Sequence, residues 1–322
     1  MIAIQFVRKL LEWVPVAVFA LMFIFLGIEA PTLFTPFTID LMLKQAVPTV
    51  VVSLGLAVVI ITGGDDVVSG GIDLSIPAAA IIAAAIIADQ VTNHGTALPI
   101  ALAFALLAAI TVGALNAFLV VMIRMTPLLA TLASSVAVVG ITKMITQSKR
   151  INVTDPFIVF LRDGTVIGLS AGVVAAGLLT LIYWFLMHQT RWGMQAQATG
   201  GGREAADISG ISTKRYQAIS FLLAAFTGFL ASMFVLARGS GSSPGTEENL
   251  LLEMVLATFL GAAFSPRRKV TVWGAALGAV LVAMLSVGFK SIGVNVFWTG
   301  CIKGALILIV VASAAATTRG RY

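Results

Sequence analysis

The chain has 322 residues, 59% of them hydrophobic and 11% charged, with a mean hydropathy of +1.04; a soluble globule carries about 25% charged residues, so a water-clothed fold is excluded. Its long apolar runs exclude an outer-membrane barrel, whose strands alternate over about ten residues, and leave an all-α polytopic membrane protein, in which each segment satisfies its own backbone. The formal charge of +6 comes from Lys and Arg scattered over short loops, a pattern that sets membrane topology and offers no nucleic-acid surface.

In chain order, apolar spans are predicted at 13–30, 47–62, 72–88, 97–122, 125–146, 166–187, 218–237, 250–265, 270–287 and 298–315, about ten transmembrane helices. The stretch "MIAIQFVRKLLEWVPVAVFALMFIFLG" places basic residues before an apolar run, as a signal peptide does, but no small-residue cleavage site follows. It is expected to be a retained first span. A cytoplasmic N-terminus puts twelve Lys and Arg inside, among them Arg8, Lys9, Arg124, Arg191 and Arg203, and six outside, among them Lys44, Arg162 and Arg238. The positive-inside rule then makes both termini cytoplasmic. Trp13, Trp184, Trp192, Trp273 and Trp298 fall at or near span ends, the headgroup level that suits an indole. A single membrane domain over 1–322 is expected, with a periplasmic loop at 148–168 and a cytoplasmic loop at 188–217. The single Cys301 lies in an apolar run, which predicts a buried, inert thiol.

One break stands out. In "TGGDDVVSGGIDLSIPAAA" (62–80), three aspartates and four glycines separate two apolar runs. A helix entering from outside, unwinding near mid-depth at the glycines and restarting around Asp73, accounts for them, because irregular backbone at membrane depth survives only against protein or a water-filled cavity and commonly borders transport sites. Asp73 or Ser75 is then the N-cap, with Pro77 in the first turn. Asp73 has three readings: a structural cap, a contact for a polar solute, or a metal ligand with Asp65 and Asp66. The last lacks the spacing of a calcium loop and any neighbouring His or Cys.

The loop "MQAQATGGGREAADISGI" (194–211) reads as a short helix. Gly200–Gly202 break the preceding segment, Glu204 favours the helix start, and Gly210 stops it. Ala205 and Ala206 leave a smooth knob for a partner's groove; a solvated connector is the alternative.

Three blocks carry a likeness to a known family: "GGIDLSIPAAA" (70–80), "TRWGMQAQATGGGREAADISGI" (190–211) and "LLLEMVLATFLGAAF" (250–264) with the following "GAALGAVLVAMLSVG". The chain resembles permease subunits of ribose-type ABC importers, which take up monosaccharides and related small polyols, over about Ala46 to Val311. The resemblance implies two permeases, identical or paralogous, two cytoplasmic ATPase domains, and a periplasmic solute-binding protein, in the inner membrane of a bacterium. It implies that Gly201, Glu204, Ala205, Ala206, Ser209 and Gly210 couple to the ATPase. No G-x-x-x-x-G-K-[ST] loop occurs, so ATP and Mg2+ are expected on the partner ATPase, with no cofactor, metal or catalytic residue on this chain. Two insertions depart from the family pattern: "GGDDVVS" (63–69), and "AAFSPRRKVTVWG" after Gly261. The basic cluster Arg267–Lys269 suits either the ATPase or anionic lipid, or a positive-inside anchor.

Sugars bring hydroxyls, so the expected pathway residues are Asp73, Ser75, Asn116, Glu253 and Thr258, with helix–helix hydrogen bonding the alternative for Asn116 and Thr258. A nucleoside or branched-chain amino acid is the alternative cargo. A stand-alone secondary transporter would need inverted repeats, and an intramembrane enzyme more than His94 and His188 at span edges.

Overall fold

The computed structural model describes residues 2–64, 70–265 and 269–318. Ten of its helices are long: α1 (Ile2–Glu29), α2 (Pro36–Gly63), α3 (Ile76–Ala88), α4 (Leu98–Ala117), α5 (Pro127–Thr146), α7 (Ala171–Gln189), α10 (Thr213–Gly239), α11 (Glu247–Phe264), α12 (Val272–Ser291) and α13 (Val296–Thr318). Three are short: α6 (Pro156–Asp163), α8 (Arg191–Gly201) and α9 (Arg203–Ile208). One wide turn extends α3 to Asn93 and another extends α4 to Met122. Strand β1 (Ile151–Asn152) pairs antiparallel with β4 (Gly241–Ser242), and β2 (Thr165–Val166) with β3 (Leu169–Ser170). One end of the bundle therefore carries α6 and the strands, and the other carries α8 and α9.

Among the described residues, seven helices are long and apolar enough to cross a bilayer: α2, α3 to Asn93, α4 to Met122, α5, α7, α10 and α12. The chain is a multi-pass membrane protein. Among the remaining long helices, α11 holds Glu247, Glu248 and Glu253 within 18 residues, while α1 and α13 contribute the shorter apolar stretches Val16–Glu29 and Trp298–Ile309.

Helix α2 is apolar all round, the signature of a helix enclosed by others. Some 89% of its apolar window is buried, against 28% for α4 and α5, so α2 is the axis and α4 and α5 are walls. Around α2 pack α10, α12, α11, α7 and α8, and α10 in turn packs on α3 and α4. Leu107, Val136 and Leu181 stay exposed on the outer helices, as lipid-facing or subunit-facing positions do. Helices α11 and α12 touch backbone to backbone, because a Cβ on Gly278 would overlap the Ala257 carbonyl.

Three expectations are corrected. Helix α2 begins at Pro36, capped by Thr35, whose Oγ1 accepts from the Thr38 N–H, not near 47. Asp40 and Lys44 interrupted the apolar run, yet they pair one turn apart at 2.7 Å and sit comfortably in a helix. Helix α7 begins at Ala171 rather than 166, because 165–170 form the β2–β3 hairpin. Cys301 is exposed on α13 rather than buried.

The glycine break is also displaced in depth. Gly55 of α2 lies against Thr227, and the Ile76 carbonyl lies against Gly228, 3.0 Å from a Cβ built there. Gly55 and Ile76 therefore share one level, near the middle of α10. From that level α2 runs on eight residues to Gly63, about 12 Å at 1.5 Å per residue, and its C-cap Gly64 lies beside Gly200 of α8. Residues 70–75 climb back as non-helical backbone, and only α3 begins at mid-bundle. The restart is where the sequence suggests; the unwinding is at the α8 end. Asp65 and Asp66 lie outside the described residues.

Replacing Gly278 by Val is expected to destabilise the protein by about 1–3 kcal/mol through overpacking, read as a lower apparent Tm in detergent. An unchanged Tm would mean that α11 and α12 do not touch there.

Candidate functional site

The chain ascending from Gly70 lies against α2 so closely that a Cβ on Gly71 would overlap the Val59 carbonyl. The Gly71 N–H donates to the Gly64 carbonyl at 3.2 Å, and the Leu74 and Ser75 N–H groups turn to side chains. Asp73 Oδ1 accepts from the Ser75 N–H at 2.8 Å and from Ser75 Oγ at 2.6 Å, closing a tight turn. Ser75 Oγ also accepts from Asn116 Nδ2 of α4 at 2.7 Å. The Leu74 N–H donates to Thr131 Oγ1 of α5 at 3.1 Å, and Thr131 donates onward to the Pro127 carbonyl at 2.8 Å. Ser75 occupies the N-cap position of α3, but its side chain caps nothing in that helix; Asp73 bonds only Ser75, so it orders the turn that leads into α3.

Asp73, Ser75, Asn116 and Thr131 are all buried. Two acceptors among them have no partner, Asp73 Oδ2 and Asn116 Oδ1. An unsatisfied buried acceptor costs about 1–3 kcal/mol, and these two belong to side chains that both bond Ser75 Oγ. Among the described residues no three His, Cys, Asp or Glu lie together as metal ligands would.

The other two expected pathway residues lie elsewhere. Glu253 of α11 heads a separate cluster: Lys303 Nζ of α13 sits 2.7 Å from its Oε1, Thr49 Oγ1 of α2 donates to its Oε2 at 2.8 Å, and Arg238 of α10 stands at 3.8 Å. Arg238 also donates to the Gln45 carbonyl at 3.3 Å. This cluster fastens α2, α10, α11 and α13 together toward the β1–β4 end. Thr258 donates only to the Met254 carbonyl one turn back and is fully buried. The sequence reading missed Thr131, Thr49 and Arg238. An intramembrane Lys303 calls for a carboxylate partner, and that was the one available signal.

At the opposite end, α9 runs from Arg203 to Ile208 and stops with Gly210 at φ +82°, the left-handed cap expected there. Gly200 and Gly201 do not break the preceding segment, for α8 continues through both. Gly200 instead lets α8 meet the end of α2, since a Cβ there would overlap the Ile61 carbonyl. Ala206 is buried beneath the helix and is not part of a presented knob; Glu204, Ala205 and Ser209 are exposed, with Gly201 and Gly210. Ile208, 88% exposed, is a large apolar side chain on α9 that the sequence reading did not single out. Asp207 Oδ1 accepts from the Thr213 hydroxyl at 2.8 Å and from the Thr213 N–H at 3.3 Å, tying α9 to the first turn of α10. Of the basic cluster, Arg267 and Arg268 lie outside the described residues.

A family model described as branched-chain amino acid transport system / permease component matches residues 38–311. The ribose import permease protein of Bacillus subtilis (strain 168) is 28% identical over 291 residues, 89% of this chain and 88% of that protein. The galactofuranose transporter permease protein of Escherichia coli (strain K12) is 28% identical over 269 residues, covering 83% and 76%. The galactose/methyl galactoside import permease protein of the same organism is 25% identical over 303 residues, 88% of each chain. No solved structure matches the chain.

Replacing Lys303 by Met strips Glu253 of its nearest cation and is expected to lower stability by about 3 kcal/mol. The double replacement of Lys303 by Met and Glu253 by Leu should recover most of that loss. Apparent Tm in detergent reads both, and a single variant as stable as the wild type would dissolve the cluster.

Proposed function

The chain belongs to the branched-chain amino acid transport system / permease component family, and from that premise we propose that it is the membrane subunit of an ABC importer for a sugar or sugar-like small solute. Its similarity to ribose, galactofuranose and galactose permeases along most of its length carries the reading. The unpartnered Asp73 Oδ2 and Asn116 Oδ1 support it chemically, as acceptors for hydroxyls passing the mid-bundle level.

In this reading all ten long helices cross the inner membrane of a bacterium, with both termini and the α8–α9 loop in the cytoplasm and α6 with the strands in the periplasm. The excess of cations on the α8–α9 side supports that orientation. A second permease, identical or paralogous, completes the pathway, and a periplasmic binding protein delivers solute to the α6 end. The chain is not itself an enzyme; ATP and Mg2+ bind a partner ATPase that grips Glu204, Ala205, Ile208 and Ser209. Force on α9 enters α10 through the Asp207–Thr213 bonds and enters α2 through the Gly200 contact. Both helices border the Asp73 level, so rocking them opens one side of that level and closes the other.

The family description favours a second cargo, a branched-chain amino acid. Its ammonium would suit the Asp73 carboxylate, but its apolar side chain leaves the Asn116 acceptor unused.

Reconstitution in liposomes with a partner ATPase and binding protein separates the two cargoes. Ribose or galactose should stimulate ATP hydrolysis, and leucine should not; the reverse result replaces the sugar reading. Replacing Ile208 by Asp or Glu204 by Lys, both on the exposed face of α9, should release the ATPase without changing the permease's Tm. ATPase retained in both variants, with transport intact, would remove α9 from the coupling role. Replacing Asp73 by Asn keeps a carbonyl oxygen toward Ser75 but places an amide donor where Oδ2 was. Uptake is expected to fall about tenfold or more, the loss of a hydrogen bond to a charged group, with Tm little changed.

A further inference from the structure

A cavity of about 190 Å3 opens at the α6 end of the bundle, between α2, α6, the start of α7 and the end of α10. It is smaller than the roughly 300–1,000 Å3 that takes a drug-sized ligand, so it suits a headgroup or a small ion. Lys44, Arg162 and Arg238 line it against one carboxylate, Asp163. Arg162 is engaged with Asp163 at 2.7 Å and Lys44 with Asp40 at 2.7 Å. Arg238 is the least compensated of the three, because Lys303 holds Glu253 at 2.7 Å and leaves Arg238 at 3.8 Å. The Arg162 hydrogen bond, reinforced by the fields of Arg162 and Lys44, holds the Asp163 carboxyl below its ordinary range, which places Lys44 within electrostatic reach across the cavity.

The cavity wall also contains the N-terminus of α7. Ser170 is the N-cap of that helix, yet its hydroxyl accepts nothing from the first turn. It is 3% exposed, lines the cavity, and its Oγ has no hydrogen-bond partner. Gly172, the second residue of the helix, lines the cavity as well; its N–H belongs to the first turn, whose four N–H groups find no carbonyl within the helix. The Ala171 N–H of that turn is taken by the Gly164 carbonyl at 2.8 Å, which leaves Gly172; a buried hydroxyl, the positive dipole end of a helix and an under-compensated guanidinium thus line one space, a setting that favours an anion.

We propose that this cavity binds a phosphate group, accepting hydrogen bonds from Ser170 Oγ, the Gly172 N–H and Arg238, with Arg162 and Lys44 at the rim. A phospholipid headgroup and free phosphate offer the same chemistry. The apolar floor of Val47 and Phe234 is compatible with the glycerol of a lipid. The site is separate from the Asp73 level and holds whatever the cargo is.

The test uses the full chain in a phosphate-free maltoside detergent, in one arm titrated with inorganic phosphate and in the other with phosphatidylglycerol. Tm and, for the second arm, lipid retention by native mass spectrometry are read. Stabilisation in the phosphatidylglycerol arm alone assigns the site to lipid, and stabilisation by millimolar phosphate assigns it to the free anion. Replacing Ser170 by Ala removes no bond within the protein, so the unliganded Tm should hold while the apparent affinity falls about tenfold, the loss of one charge-assisted hydrogen bond. Replacing Arg162 by Gln should weaken binding in the same direction by severalfold. No stabilisation in either arm, or equal stabilisation in both variants and the wild type, overturns the proposal.

Discussion

The fold depends on how one non-helical segment is tolerated within a membrane protein. Residues 70–75 form no helix, and in lipid each bare N–H or C=O would cost several kcal/mol. The protein surrounds them with α2, α4, α5 and α10; Asp73 and Thr131 accept from the Ser75 and Leu74 N–H groups, the Gly64 carbonyl accepts from the Gly71 N–H, and Ser75 and Asn116 hold Asp73 in place. That requirement explains why α2 is enclosed, why α10 packs on both α2 and α3, and why glycine stands wherever backbones meet at this level.

The same arrangement places a polar group at the meeting point of two helices that reach the α9 end. Helix α10 runs 27 residues from Thr213, held by Asp207, to Gly239, one residue beyond Arg238. Helix α2 runs from beside Arg238, through Gln45 and Thr49, to its C-cap Gly64 beside Gly200. A displacement of α9 thus has two rigid routes past the Asp73 level to the Glu253 cluster. Packed helices of this kind shift as bodies rather than bend, so the bonds that hold them at each end set which arrangement is stable.

Much of this was legible in the sequence. Membrane residence followed from composition, and the helix restart followed from "GGIDLSIP", where an aspartate and proline flank a helix start. The depth of the break was hidden because Asp40 and Lys44 disguised the first turns of α2, and their neutralising contact is visible only once the helix exists. The division of the pathway set was hidden for another reason. Glu253 meets Thr49 and Lys303 across 204 and 50 residues of chain, and no local pattern records such a meeting. Ala205 and Ala206 look alike in a row of letters; in a six-residue helix one faces out and the other in, and so short an element shows no period from which to tell them apart.

The two buried polar groups differ in a way that bears on their roles. Around Glu253 every oxygen has a donor, and Lys303 and Glu253 neutralise each other. A solute entering there would have to displace an ion pair whose partners would be left in a poor solvent, an exchange that costs more than a neutral hydroxyl returns. Around Asp73 the internal bonds consume the donors of Ser75 and one donor of Asn116, and they leave two oxygens over. A solute rich in hydroxyls can satisfy those oxygens without breaking any bond the protein makes with itself. The first group holds helices together, whereas the second has oxygens left to meet a hydroxyl, so the proposed function puts the transport path at the aspartate of the restart rather than at the glutamate beside a lysine.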